Sequence, residues 1–254
     1  MKTITVNNIT IGEGMPKVCV PLTGTTKQQL EEQARQLKST EFDLVEWRVD
    51  FFQHINDPMK VLEALRALRR TLPDVPLIFT FRSLQEGGER EIETEAYIEL
   101  NKAMIETNKV DFVDIELFNK KETIHTIHTH AKQHGVYTII SNHDFQKTPA
   151  KKKIIDRMKT AQELGADLPK IAVMPQNMKD VLILLEATRE LHDEHLDRPL
   201  ISMSMGKDGI ISRLTGEIFG SAITFGTVHH ASAPGQVPVE DLKQTLQLIH
   251  RMQR

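Results

Sequence analysis

Eight short runs rich in β-branched and other apolar residues recur along the chain, separated by turns and by stretches with helical spacing of apolar residues. They are KVCVPL (17–22), FDLVEWRVD (42–50), PLIFTFR (76–82), FVDIEL (112–117), YTIISNHDF (137–145), LPKIAVMP (168–175), LISMSM (200–205) and SAITFGTV (221–228). Val61, Leu62, Leu65 and Leu68 mark one helical stripe, and Val181, Leu182, Leu184 and Leu185 another. A last helix is expected over roughly 238–252, with Pro238 near its first turn. Eight alternations of about 30 residues each predict an α/β fold of the (β/α)8 TIM-barrel type. Residues 2–12 alternate polar and apolar and are expected to form a β-hairpin that closes the barrel bottom. An open doubly wound sheet is the competing architecture, but it usually has fewer strands and a glycine-rich fingerprint after the first, which is missing. No low-complexity segment or Pro/Gly/Ser linker marks a boundary, so 1–254 is read as one barrel domain.

Composition narrows the function classes. Thirty-two basic against 35 acidic residues give a net charge of −3, which argues against a broad nucleic-acid surface. The one cysteine, Cys19, excludes an intrachain disulfide and reads as a buried strand residue rather than a nucleophile. No run approaches the ~18–20 apolar residues of a membrane span. The first 14 residues lack the apolar core of a signal peptide. A cytoplasmic enzyme or binding protein, with no membrane or nucleic-acid partner, is the expectation.

In such a barrel the active site lies at the C-terminal strand ends, where side chains alternate between interior and helix layer. The unusual polar residues collect there. Glu46 and Arg48 share a face of the second strand, Arg82 ends the third, and Glu86 follows in RSLQEGGER. Asp114 and Glu116 share a face of the fourth strand, His143 lies in SNHDF on the fifth, and Lys170 on the sixth. Each has a structural alternative: an ion pair for Glu46 and Arg48, a satisfied core histidine for His143, and support rather than metal ligation for Asp114 and Glu116. Trp47 reads as core packing. Charges placed independently for structure would not gather at one end of strands two to six. His125, His128, His130 and His134 in HTIHTHAKQH read instead as a solvated face of the fourth helix, without the glutamate of a metalloprotease motif.

Lys170 sits in the middle of the apolar stretch GADLPKIAVMP, although an ammonium is costly to remove from water. It could hold Asp114 or Glu116 in a buried ion pair. It could equally be the amine that forms an imine with a substrate carbonyl, with burial and cations such as Arg48 or Arg213 favouring the reactive free base. His143 could then take the proton made acidic beside the imine, with Glu86 orienting the imidazole. Elimination, isomerisation and aldol cleavage all remain open on these residues alone.

Together, EWRVD, FTFRS…EGG, SNHDF, PKIAVMP, ISRL…GEIFGSAITFG and ASAPGQ resemble the type I 3-dehydroquinate dehydratases of the shikimate pathway, in order and over essentially the whole chain. The resemblance implies a homodimeric barrel without metal or organic cofactor that converts 3-dehydroquinate to 3-dehydroshikimate, with biosynthesis its expected use. It implies Lys170 as the Schiff-base residue, His143 as the general acid/base acting at C2, and Glu86 as the carboxylate paired with it. It further implies that Glu46, Arg48 and Arg82 hold the substrate and that Arg213 clamps its carboxylate. Ser232 and Gln236 match contacts from a closing loop over 229–237; Met203 and Met205 match wall residues, for which simple packing is an equal account. Pro21 departs from the pattern, standing where some members have a ligand-binding serine. A class I aldolase acting on a small sugar or sugar phosphate, and a barrel that only binds a polyol acid, are the competing functions.

Overall fold

The computed structural model describes residues 2–228 and 232–253. The chain opens with a hairpin of β1 (Ile4–Val6) and β2 (Ile9–Ile11), antiparallel, with Ile4 opposite Ile11. Asn7 in its two-residue turn takes φ 52°, the left-handed conformation such turns require. Eight parallel strands follow: β3 (Lys17–Leu22), β4 (Leu44–Arg48), β5 (Leu77–Thr80), β6 (Phe112–Glu116), β7 (Tyr137–Asp144), β8 (Leu168–Val173), β9 (Ile201–Ser204) and β10 (Ile223–Thr227). All eight predicted runs are strands.

Neighbours follow sequence order from β3 to β9, and β10 pairs back onto β3. The parallel bridge Leu200–Ser221 completes the ring, with Ala222 N donating to Leu200 O at 2.8 Å. The predicted (β/α)8 barrel is therefore closed, whereas an open sheet would leave two edges. Higher on the same seam, β10 pairs with the two-residue β11 (Val237–Pro238) on the side away from β3.

Helices α1 (Lys27–Gln36), α2 (Pro58–Thr71), α3 (Thr94–Glu106), α4 (Lys121–Gln133), α5 (Lys151–Glu163) and α6 (Met178–Glu190) cover the outside. Two short helices, α7 (Ile210–Leu214) and α8 (Gly216–Phe219), join β9 to β10, and α9 (Val239–Met252) closes the order. Local chemistry sets the starts. Asp57 accepts from Met59 N and Lys60 N with Pro58 beginning α2, and Asn177 caps α6. Pro238 stands just before α9, where the chain needs no N–H to enter the helix. Val61, Leu65 and Leu68 are buried as expected, but Leu182 is 60% exposed. At 100° per residue it falls outside the arc of Val181, Leu184, Leu185 and Thr188 that faces the barrel.

Alternation along the strands builds two layers. Cys19, Leu44, Ile78, Phe112, Ile139, Leu168, Ile201 and Ile223 make an apolar floor inside the barrel, sealed below by Ile4, Val6 and Ile11 of the hairpin. Trp47, Val113, Ile115 and their like point outward to the helices. Two residues beyond the floor on the same inner face stand Glu46, Thr80, Asp114, Ser141 and Lys170. The floor excludes water from below, so the polar layer meets solvent only through the mouth. Cys19 is buried in the floor, and burial pushes its thiol pKa up, away from nucleophilic chemistry.

Candidate active site

A small cavity opens at the C-terminal mouth. Its lining includes Glu46, Arg48, Arg82, Glu86, His143, Lys170, Met203, Met205, Arg213, Ser232 and Gln236. Every residue that the sequence assigns to catalysis, substrate contact or the pocket wall is thus brought to one place. Pro21, opposite Glu46 in register, does not line the cavity.

Lys170 is 4% exposed and held by two carboxylates, Asp114 Oδ2 at 3.1 Å and Glu46 Oε1 at 3.4 Å. Its Nζ also lies 4.7 Å from the centre of the Phe225 ring. The charged groups touching the amine are therefore acidic, and the contact with Asp114 is the buried ion pair weighed from the sequence, while Arg48 and Arg213 line the same cavity. Glu46 in turn accepts from Thr80 Oγ1 at 2.9 Å. Arg82 fans across the polar layer, donating to Asp114 Oδ1 at 2.8 Å and to Glu116 Oε1 and Ser141 Oγ at 3.0 Å. Burial alone would lower its pKa, but Asp114, Glu116 and Glu86 together raise it.

Glu46 and Arg48 do not form the ion pair weighed from the sequence. The chain leaves β4 in a 3-10 turn at Val49–Phe51, which folds Asp50 back under Arg48. Asp50 accepts from Arg48 Nε at 2.9 Å and Nη2 at 2.8 Å, a bidentate pair that aims the guanidinium along the mouth. Asp50 also accepts the backbone N–H groups of Arg82 and Glu89, which ties down the loop carrying Glu86.

That loop is a 3-10 turn, Leu84–Glu86, capped at its start by Ser83 Oγ and at its end by Gly87 with φ 83°. It delivers Glu86 against β7, where Oε2 meets His143 Nδ1 at 2.8 Å and His143 N at 2.9 Å. Asn142 Nδ2 donates to Oε1 at 3.1 Å. Burial lifts the Glu86 pKa to about 8 against the pull of Arg82, and Glu116 adds to the rise. Burial, with Arg82, Lys170 and Arg48, pushes His143 well below its usual value. Both shifts disfavour charge. Where Glu86 is ionised, toward and above about pH 8, its Oε2 accepts from Nδ1 of the neutral imidazole, and Nε2 is left as a base.

Arg213, on α7, is buried and donates to Pro234 O at 3.1 Å, with Nη1 at 3.7 Å from Met203 Sδ. Its Nε lacks a partner among the described residues, and burial lowers its pKa to about 10 with no carboxylate to offset it. A cation so placed awaits an anionic oxygen. Ser232 and Gln236 bond to each other, Ser232 N to Oε1 at 2.8 Å and Gln236 Nε2 to Oγ at 3.1 Å. Residues 229–231 of the predicted closing loop lie outside the described residues.

The other sequence readings divide. Trp47 is core, edge-on to Phe52 and Phe79. His125 is exposed on α4 as expected, but His128, His130 and His134 are half-buried. His128 Nδ1 meets Thr138 Oγ1 at 3.0 Å and His130 lies 3.0 Å from Glu106, so these rings hold the helix to its neighbours. Asp50, Asn142 and Phe225 join the site without having been singled out in the sequence.

The type I 3-dehydroquinase family profile matches residues 18–253. The 3-dehydroquinate dehydratases of Bacillus licheniformis and Clostridioides difficile are each 52% identical to this chain over 98% of its length, covering 98% and 97% of theirs. A crystal structure of the type I enzyme from Clostridium difficile matches with a TM-score of 0.97 at 51% identity over 99% of both chains. That of the dehydratase from Geobacillus kaustophilus matches at 0.97 and 38% identity, over 100% of this chain and 98% of that one. With matches that span both the barrel and the polar mouth, the chain belongs to the type I 3-dehydroquinase family, lyases that remove water from 3-dehydroquinate.

Proposed function

We propose that Lys170 forms an imine with the carbonyl of 3-dehydroquinate and that His143, paired with Glu86, moves the protons of the dehydration. The observation that carries this reading is that a buried lysine amine and an imidazole–carboxylate pair line one cavity over a dry apolar floor. Attack of the free amine on the carbonyl and loss of water give a protonated imine, an electron sink for the neighbouring carbon. Nε2 of His143 removes the C2 proton, and the resulting enamine expels the C1 hydroxyl, which leaves as water with a proton from the same imidazole. Water then hydrolyses the imine and restores the amine. Asp114 and Glu46, already in contact with Nζ, hold it toward the cavity and balance the iminium charge. Arg213 fits the substrate carboxylate through its unused donors, with Arg48, Arg82, Ser232 and Gln236 as polar contacts and Met203 and Met205 as wall. The Clostridium difficile relative is described with covalently modified comenic acid, in keeping with a covalent role for a residue in this fold.

Borohydride reduction in the presence of 3-dehydroquinate, followed by peptide mapping, tests the step. An adduct on Lys170 is expected; turnover without an adduct, or full activity in Lys170→Ala, overturns it. Lys170→Met should keep the fold while losing turnover. We further read residues 1–254 as one domain of a cytoplasmic, metal-free homodimer. Twice the chain mass in sedimentation and unchanged activity after exhaustive chelation are the expected results.

A further inference from the structure

One line of contacts leaves the active site through the barrel wall. Asn142 lies between Ser141 and His143 on β7, so alternation turns it toward the helix layer, where it is buried. Its amide joins two partners. Nδ2 donates to Glu86 Oε1 at 3.1 Å, and Oδ1 accepts from Arg157 Nη1 at 2.8 Å. Arg157 stands on α5 with its side chain 22% exposed, 3.9 Å from Asp144 and 5.1 Å from the centre of the exposed Phe118 ring.

An asparagine amide has two orientations related by a half-turn. In the alternative one, its oxygen would face the Glu86 carboxylate and its NH2 would face the guanidinium. Acceptor would then oppose acceptor, and donor would oppose donor. A guanidinium has donors and no acceptor, so Arg157 selects the orientation that presents an N–H to Glu86. The contact occupies Oε1 and leaves Oε2 for the His143 ring.

Resting on the reading of Glu86 and His143 as the proton-moving pair, we propose that Arg157 is a positioning residue that acts through Asn142 to hold the Glu86 carboxylate toward His143. The other charged or titratable groups facing Glu86 are Arg82, with Nη1 at 3.6 Å, Glu116 and His143 itself. The charges that reach His143 are those of Arg82, Lys170 and Arg48. All of these remain in an Arg157 variant, and Asn142→Ala keeps the Arg157 charge as well, so a shift common to Arg157→Met and Asn142→Ala reports the lost amide bond. A carboxylate that loses a donor favours its neutral form, which moves the acid limb of activity to higher pH.

The test is a set of pH–rate profiles for Arg157→Met, Arg157→Lys, Asn142→Ala and the double variant Arg157→Met/Asn142→Ala, beside wild type and His143→Ala. In Arg157→Met, kcat near neutrality should fall about tenfold with KM changed less than about twofold, and the acid limb should move upward. Arg157→Lys should restore part of the loss. The double variant should be no worse than Asn142→Ala, because both changes break one line of contacts. An unshifted limb in Arg157→Met, or losses that add in the double variant, overturns the proposal. Wild-type rates in His143→Ala would instead overturn the proton-moving pair on which it rests.

Discussion

Asp114 shows how much of the site one side chain carries. It is fully buried, bonded to Arg82, Lys170 and Ser141. Burial would raise its pKa, but the two cations and the serine hydroxyl bring it to about 2. A carboxyl depressed from about 3.9 in the unfolded chain contributes stability above that value and loses it as pH falls toward 2, an effect of about 2–3 kcal/mol. Asp114→Asn leaves two buried cations short of a counter-charge and should cost about 3–5 kcal/mol at pH 7. Denaturant titrations should show the gap to wild type narrowing as pH approaches 2; a pH-independent gap would contradict the assignment. At this scale, much of the site was legible because its chemistry is carried by charged residues on apolar strands. Phe225 escaped notice because an aromatic ring in SAITFGTV looks like any core residue. Asp50 escaped although strand spacing puts it on the face of Glu46 and Arg48, because its bidentate contact with Arg48 exists only where β4 gives way to a 3-10 turn. Asn142 sits on the opposite face of β7 from His143, where strand alternation gives no sign of a link to the site.

Among the elements, the loop from Ser83 to Arg90 has little freedom to vary. A Cβ on Gly88 would lie 1.9 Å from Arg82 O, a backbone atom that cannot step aside. Gly88→Ala should therefore displace the turn and draw Glu86 away from His143, lowering kcat about tenfold or more. A crystal structure should show the Glu86–His143 contact lengthened; an intact contact with unchanged kcat would sink the argument. The strand pattern was readable because β3 to β6 and β8 are apolar on their outer faces and every strand gives an apolar residue to the inner floor. The connection from β9 to β10 departs from the repeating unit: α7 and α8 are short, and α7 carries Arg213 to the cavity.

Across the whole molecule the two ends of the barrel do different work. Ile11 is fully buried beneath the floor, on the hairpin far along the strands from the polar layer. Ile11→Ala should cost about 2–5 kcal/mol through lost burial and the cavity left behind. Its kcat at moderate temperature should match wild type, since the hairpin lies at the opposite end of the barrel from the mouth; thermal melts and kinetics on the same sample check both halves. Among the described residues, no helix is long and apolar enough to cross a membrane. The seam between β9 and β10 has a consequence of its own. Strand-to-strand contact there is made at the floor by Leu200 and Ser221, while above it β11 lies against β10 and Pro234 O accepts from Gly206 N at 3.2 Å. The segment that brings Ser232 and Gln236 to the cavity is thus a stave of the barrel wall. A ligand gripping that stave fastens the cylinder itself, so substrate should slow amide exchange at Gly226, Thr227 and Val237 together.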